Sequence, residues 1–344
     1  MIGDASAPLR VGLFPSVGRF GRHLIEQFAD GGPFQVVAAM DPSALALAPL
    51  AAANLVAPFG VRLVSTPQEL LQAEDIDVLW ATSHDGLRDD FLSAGLDHGK
   101  HTIVETPLTV VTALAAKAFA WATQHDRLLL VHHPRRADLD FRQALTVAQD
   151  REIGAIRAAK WISWSYGLPP RGATRRQGSL TLDAGEDLPT TKVRFVAHAL
   201  DQLMALIGDR PLSVSATGDS QAPGTPDLFA GYSLALRIVF ETGCQAEIDI
   251  RLDSPAPFQS GWTLTGERGG YVTGRRFTLT DDGEVFDSPI TLPNSDTEVD
   301  QFEWLARQIR SGIRNVAEEA RVRTVVALLD AAQRSLTASQ VVGV

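Results

Sequence analysis

The first 130 residues alternate short apolar runs with segments of helical periodicity, and this alternation constrains the fold more than any other feature. Strand-like runs fall at 10–14, 34–40, 61–64, 77–81, 101–104 and 128–131. Helical stretches lie between them, at 19–28, from Thr66 onward, up to about Ala94, and over an alanine-rich segment from about Thr109 to Gln124. Thr66, Pro67 and Glu69 form a helix start: Thr66 caps, Pro67 suits the first turn, and Glu69 reaches back to complete a capping box. Strands separated by helices of this length need right-handed crossovers, which makes their sheet parallel. The pattern predicts a doubly wound α/β domain over residues 1–130.

From residue 131 the pattern changes. A helix at 139–149 leads to a strand at 156–164, a loop rich in Pro, Gly and Arg at 167–187, and a helix at 194–207. Residues 216–230 read as a surface loop. Strand-like stretches with polar turns follow at 232–240, 245–251, 262–265 and 276–280, and the chain ends in helical stretches at 299–311 and 316–335. Successive hairpin-like strands predict a largely antiparallel sheet, hence an α+β domain over 131–344. This domain is expected to bind substrate and to carry oligomer contacts, because a sheet face left uncovered favours a homo-oligomer, a dimer or tetramer.

Length agrees with the division, since 344 residues exceed what one hydrophobic core usually holds. The formal net charge of -10 argues against a nucleic-acid surface. No apolar run approaches bilayer-spanning length, and residues 1–10 lack the basic start and apolar stretch of a secretory signal. A cytoplasmic protein with no membrane partner is expected. Cys244 is the only cysteine, which excludes an intramolecular disulfide and argues against a cysteine zinc site, so no metal is expected.

The turn after the first strand reads Pro15-Ser16-Val17-Gly18-Arg19-Phe20-Gly21. A dinucleotide fingerprint puts glycines where the backbone must approach a pyrophosphate and where the helix packs on the strand. Gly18 and Gly21 supply the last two, and Ser16 or Pro15 stands at the first. Ser16, Val17, Gly18, Arg19 and Phe20 lie where a helix N-terminus offers free amides to phosphate. Asp41 ends the second strand 23 residues after Gly18, where an acid accepts ribose hydroxyls and repels a 2′-phosphate. These residues predict NAD in preference to NADP; the plain alternative is a glycine-rich turn followed by an Asp-Pro turn.

Further landmarks recur along nearly the whole chain: Ala81-Thr82 with Ser83, Glu105-Thr106-Pro107, residues 131–136 ending in Arg136, Gly154, His198-Ala199-Leu200-Asp201, and Gly266-Glu267-Arg268-Gly269. In this order the chain resembles the glucose-fructose oxidoreductase, inositol dehydrogenase and rhizopine-catabolism family (Gfo/Idh/MocA). The resemblance implies hydride transfer between nicotinamide and a hydroxyl-bearing carbon of a sugar-like substrate. It makes His198 the acid/base, with Asp201 orienting it or binding a substrate hydroxyl, and it sets Thr82 and Glu105 beside the cofactor. Histidine suits this work because its pKa lies near working pH.

The chain departs from that pattern. Thr106 stands where the family has lysine, exchanging a cation for a neutral hydroxyl, and electrostatic help of this kind is worth about 2.7–4 kcal/mol. Arg194 and Val196 replace the family's Asp and Gly before the histidine. Lys160 and Lys192 are the candidates to restore the charge. The adjacent His132 and His133 point to opposite sides if extended, which disfavours a shared metal. Arg171, Arg175 and Arg176 lie in a loop able to cover a substrate, and Trp161, Trp164 and Tyr166 alternate along and just beyond one strand. Three functions follow: an NAD-linked oxidoreductase acting on a polyhydroxylated small molecule, a nucleotide-binding protein with lost or altered redox activity, or an NAD enzyme using transient oxidation in a lyase-type reaction.

Overall fold

A computed structural model describes residues 7–14, 19–40, 56–82, 86–164, 188–219, 232–252, 254, 259–292 and 297–344. Along the chain run β1 (Leu9–Phe14), α1 (Arg19–Gln27), β2 (Phe34–Ala39), β3 (Arg62–Leu63), α2 (Pro67–Leu71), β4 (Val78–Ala81), α3 (Gly86–Asp97), β5 (His101–Glu105), α4 (Thr112–Gln124) and β6 (Leu129–His132). There follow α5 (Leu139–Asp150), β7 (Ile156–Trp164), α6 (Leu188–Ile207), β8 (Pro211–Gly218), β9 (Ser233–Phe240), β10 (Gln245–Arg251), β11 (Gln259–Gly266), β12 (Gly269–Val272), β13 (Arg275–Leu279), β14 (Val285–Pro289), α7 (Thr297–Ser311), α8 (Val316–Ala338) and β15 (Val342–Gly343). Two compact units result. One holds the described residues through His132 together with 297–323, and the other holds those of 133–292 and 324–344.

In the first unit six strands form a sheet of order β3-β2-β1-β4-β5-β6, parallel throughout. The central strands read as continuous apolar runs because both faces are covered. Alternate residues serve opposite sides: Val11, Leu13, Val78 and Trp80 join one core with Leu24 of α1 and Phe28 just after it, while Phe14 and Leu79 join the other with Leu70 of α2 and Phe91 of α3. Phe302, Leu305, Ala306 and Ile309 of α7 belong to the first of these cores. The sequence division put this helix with the second domain, but its apolar stripe is spent on the first unit, with Phe302 edge-on to Phe28 at 4.9 Å. The Thr66 start is realised as expected, with Glu69 Oε1 accepting from the Thr66 amide at 3.0 Å.

In the second unit nine strands run in the order β14-β13-β12-β11-β7-β10-β9-β8-β15. Only β7 and β10 pair parallel; the other pairings are antiparallel. Four strands depart from expectation. Residues 216–218, expected in a loop, finish β8, which pairs with β9, and β12, β14 and β15 add strands where the sequence pattern predicts none. Helix α6 begins at Leu188, six residues before the expected start, with Pro189 in its first turn. Its buried face, including Val196, Leu200 and Leu203, and buried Ile248, Ile250 and Leu236 on the sheet make up this core. Asp140 on α5 accepts from the Trp262 amide and the Tyr271 hydroxyl, both at 2.7 Å, tying that helix to β11 and β12.

Candidate active site

Open parallel sheets bind ligands beyond the carboxyl ends of the strands, where the strand order turns. In the first unit that point lies between β1 and β4, which are neighbours although three strands apart in sequence. The Thr82 amide donates to the Phe14 carbonyl at 2.7 Å, joining the ends of these two strands. Ser16, Val17, Gly18 and Asp41 lie outside the described residues, as do Ser83, Tyr166, Arg171, Arg175 and Arg176. Arg19 and Phe20 are the first residues of α1, the helix that leaves the turn.

Glu105 ends β5 and is 1% exposed. Its carboxylate accepts from Trp80 Nε1 at 2.8 Å and contacts His132 Nδ1 at 3.0 and 3.1 Å. Placing Nδ1–H as donor leaves the imidazole packed among aromatic rings. It stacks on Phe20 and Phe302, at 5.6 and 5.5 Å between centroids, and meets Trp80 edge-on at 5.5 Å. The strand ends β4, β5 and β6 are thereby locked to the first turn of α1. Trp80 and His132 were not identified as Glu105's partners from the sequence, for they stand 25 and 27 residues away and only the sheet register brings them together.

Thr106 follows directly. Its amide donates to the His132 carbonyl at 3.3 Å, it is 1% exposed, and its peptide bond to Pro107 is cis. Its Oγ1 is buried without a hydrogen-bond partner. A buried hydroxyl left without a partner costs about 1–3 kcal/mol. The turn of strand order and the helix leaving β1 suit a dinucleotide along this edge of the sheet.

In the second unit α6 carries His198 and Asp201, 6% and 1% exposed. The resemblance gives Asp201 the part of orienting His198 or binding a substrate hydroxyl. The recorded partners of Asp201 are Arg136, which donates Nε and Nη2 at 2.7 and 2.6 Å, and His133, whose Nδ1 lies 3.5 Å away. The segment Pro134–Ala137 is pinned along α6 by two more contacts, one of them held in turn by Trp262. Gln202 Nε2 donates to the Arg135 carbonyl at 2.6 Å, Trp262 Nε1 donates to Gln202 Oε1 at 2.8 Å, and the Arg135 guanidinium lies over the Phe195 ring at 4.3 Å. Burial lowers the Arg135 pKa, with the nearby Arg194 charge acting the same way, and burial raises that of Asp138.

The two candidate lysines are committed elsewhere. Lys160 points from β7 toward Glu247 of β10, at 3.3 Å, and is half exposed. Lys192 is buried on α6 and donates to the Ser233 carbonyl at 3.0 Å. Trp161 is buried beside Trp262, at 6.4 Å between centroids, as core packing requires, and Trp164 stacks under Arg251 at 5.0 Å.

Residues 9–133 match the sequence family GFO_IDH_MocA, an oxidoreductase family with an NAD-binding Rossmann fold. The dTDP-3,4-didehydro-2,6-dideoxy-alpha-D-glucose 3-reductase of Saccharopolyspora spinosa is 23% identical over 321 residues, which cover 89% of each chain. The scyllo-inositol dehydrogenase of Lactobacillus casei, solved with NAD(H) and scyllo-inositol, superimposes with a TM-score of 0.71 at 15% identity, covering 98% of this chain and 99% of that one. The UDP-N-acetylglucosamine 3-dehydrogenase GnnA of Acidithiobacillus ferrooxidans gives a TM-score of 0.71 at 17% identity, covering 96% and 99%. Among the described residues no helix is long and apolar enough to cross a membrane. Over residues 9–133 this chain is similar to the NAD-binding Rossmann domain of the Gfo/Idh/MocA oxidoreductases.

Proposed function

We propose that this chain interconverts a hydroxyl and a carbonyl on a sugar, cyclitol or related polyhydroxylated small molecule, with NAD as redox partner and His198 as acid/base. The observation that carries this reading is the NAD-binding family match over a parallel sheet of order β3-β2-β1-β4-β5-β6. The relatives supply the substrate class: one is named for reduction of a dTDP-linked deoxy sugar, and a structural neighbour holds scyllo-inositol.

In the oxidative direction the substrate hydroxyl gives its proton to the His198 imidazole while the carbinol hydrogen leaves with its electron pair, and a carbonyl remains. Bound NAD supplies the acceptor for that hydrogen and electron pair. Arg136 and Asp201 fix the segment packed along α6 and so act as positioning residues. Thr106 offers a neutral hydroxyl where a lysine would offer a charge, and Glu105 holds the ends of β4, β5 and β6 in place for the cofactor. Asp41 favours NAD over NADP by repelling a 2′-phosphate.

Thr106 and Arg194 favour a second reading: a nucleotide-binding chain without net redox turnover, or one that oxidises its substrate only transiently. The experiment is to incubate the protein with NAD and a panel of inositols, aldoses and nucleotide sugars and follow NADH. Accumulating NADH supports the first reading. NAD binding by calorimetry with no NADH from any substrate moves belief to the second.

Self-association is part of the same reading. One face of the nine-stranded sheet presents Ser213, Ser215, Arg237, Glu247, Thr263 and Thr265 around a shallow recess of about 620 Å³. A second copy would cover this mixed polar and apolar face, and light scattering of the full chain tests for a dimer or tetramer.

A further inference from the structure

A second recess, of about 570 Å³, opens in the first unit at the amino ends of the parallel strands. This is the edge opposite to the one where open α/β sheets take their nucleotides. Its walls come from the starts of β1 and β5, the residues before β4 and β6, and the carboxyl ends of α4 and α7. The volume falls in the range of small-molecule sites.

Five basic side chains line the recess, Arg10, Lys100, Arg127, Arg310 and Arg314, against two carboxylates, Asp77 and Asp126. Two of the cations are neutralised. Arg10 forks onto Asp77 at 2.7 and 3.0 Å, and Arg314 pairs with Glu319, its Nε at 2.9 Å. The other three spend their hydrogen bonds on backbone carbonyls. Lys100 Nζ donates to Ala73 and Ile76 at 2.6 and 2.8 Å, Arg127 to Gly99 and Asp126 at 2.5 and 2.7 Å, and Arg310 to Ala7 at 2.9 Å. Carbonyls satisfy the donors and leave the charge. Arg127 and Arg310 form no ion pair with a lining carboxylate, and Lys100 feels Asp77, Asp75 and Glu74 only at longer range, in a chain whose net charge is -10.

Donors remain for a ligand. Lys100 uses two of its three protons on carbonyls. Arg310 Nε is buried with no hydrogen-bond partner. His101 Nδ1 accepts from the Leu128 amide at 3.1 Å, so the neutral ring carries its proton on Nε2 as a further donor. Burial and the Arg127 charge hold His101 down to about 4, which keeps the ring neutral at working pH. The lining has no aromatic ring other than this imidazole, so nothing there stacks on a nucleobase.

We propose that this recess binds a compact multivalent phosphate anion, inorganic pyrophosphate or a sugar bisphosphate, at a site separate from the dinucleotide edge. Two or more negative charges match the unneutralised cations, and charge-assisted bonds from several directions suit tetrahedral phosphate. The test is calorimetry on the full chain at fixed ionic strength, with inorganic pyrophosphate and fructose bisphosphate in separate arms and sulfate as control. Saturable binding of at least one phosphate arm, stronger than sulfate and undisturbed by saturating NAD, is expected; the arm that binds more tightly names the source. Arg127→Gln should weaken it at least tenfold, the worth of a lost charged hydrogen bond of about 1.5–3 kcal/mol. Thr123→Glu adds a negative charge to the lining from an exposed helical position without removing a donor to the ligand, and should weaken it comparably. Thermal melts confirm that both variants fold. Absence of saturable binding in both arms, displacement by NAD, or unchanged affinity in folded Arg127→Gln and Thr123→Glu overturns the proposal.

Discussion

Arg136 grips Asp201 with both arms of its guanidinium, at 2.6 and 2.7 Å, and this pair anchors the segment that begins the second unit to α6. Asp201 is 1% exposed, so its charge depends on that grip. Arg136→Met is expected to lower stability by about 3–5 kcal/mol, the usual result of leaving one member of a buried ion pair behind. A urea titration checks this through the midpoint of unfolding. If Asp201 acted on His198 alone, Asp201→Asn would change turnover and leave that midpoint where it was.

Thr106 Oγ1 has no partner, which separates its two possible duties. Thr106→Val keeps the shape and removes only the hydroxyl. Thermal stability should hold or rise, since an unsatisfied buried group is lost. Turnover should fall if the hydroxyl meets the reacting molecule. A drop in melting temperature of several degrees would show instead that the hydroxyl is bonded within the fold.

His101 gives the protein an acid limit. Burial, then the Arg127 charge, brings its pKa from 6.5 to about 4. The unfolded chain takes up this proton near pH 6.5 and the folded chain only near pH 4, so acid favours unfolding across that window. Stability from this group is complete above the upper value and falls as pH drops toward the lower one, by about 3 kcal/mol at most. His101→Gln should flatten that part of the curve, and bound pyrophosphate, whose charge favours the imidazolium, should narrow it by raising the folded pKa. Denaturant melts at stepped pH measure both.

Much of the first unit is legible because its strands are continuous apolar runs buried on both faces and α1 is strongly amphipathic. The second unit hides more. β12 contains Gly269 and Gly270, which looks like a turn, yet a Cβ at these positions would sit 2.0 Å from the Phe277 carbonyl oxygen and 2.4 Å from that of Leu264. The glycines are there because neighbouring strands press on the backbone. β8 mixes small polar residues with few β-branched ones, and its identity comes from pairing with β9. Among site residues, His198, Thr106 and Glu105 are visible as motif positions. The Trp80–Glu105–His132 bonds and the Arg136–Asp201 pair are not, because each joins residues 25 or more apart that only the fold brings together.

Cofactor choice rests on Asp41. NAD should bind more tightly than NADP, and Asp41→Ala should narrow the difference by removing the repulsion of a 2′-phosphate. Calorimetry with each dinucleotide decides it, and tighter NADP binding by the unaltered protein would contradict the assignment.

The most direct test of the whole account is the steady-state rate of NADH formation by His198→Ala, on whichever polyhydroxylated substrate the unaltered protein oxidises, with NAD affinity measured alongside by calorimetry. The account predicts a kcat lower by about two to four orders of magnitude, the range for a lost general acid/base, with NAD affinity nearly unchanged. Full turnover in His198→Ala would contradict it and remove His198 from the chemistry.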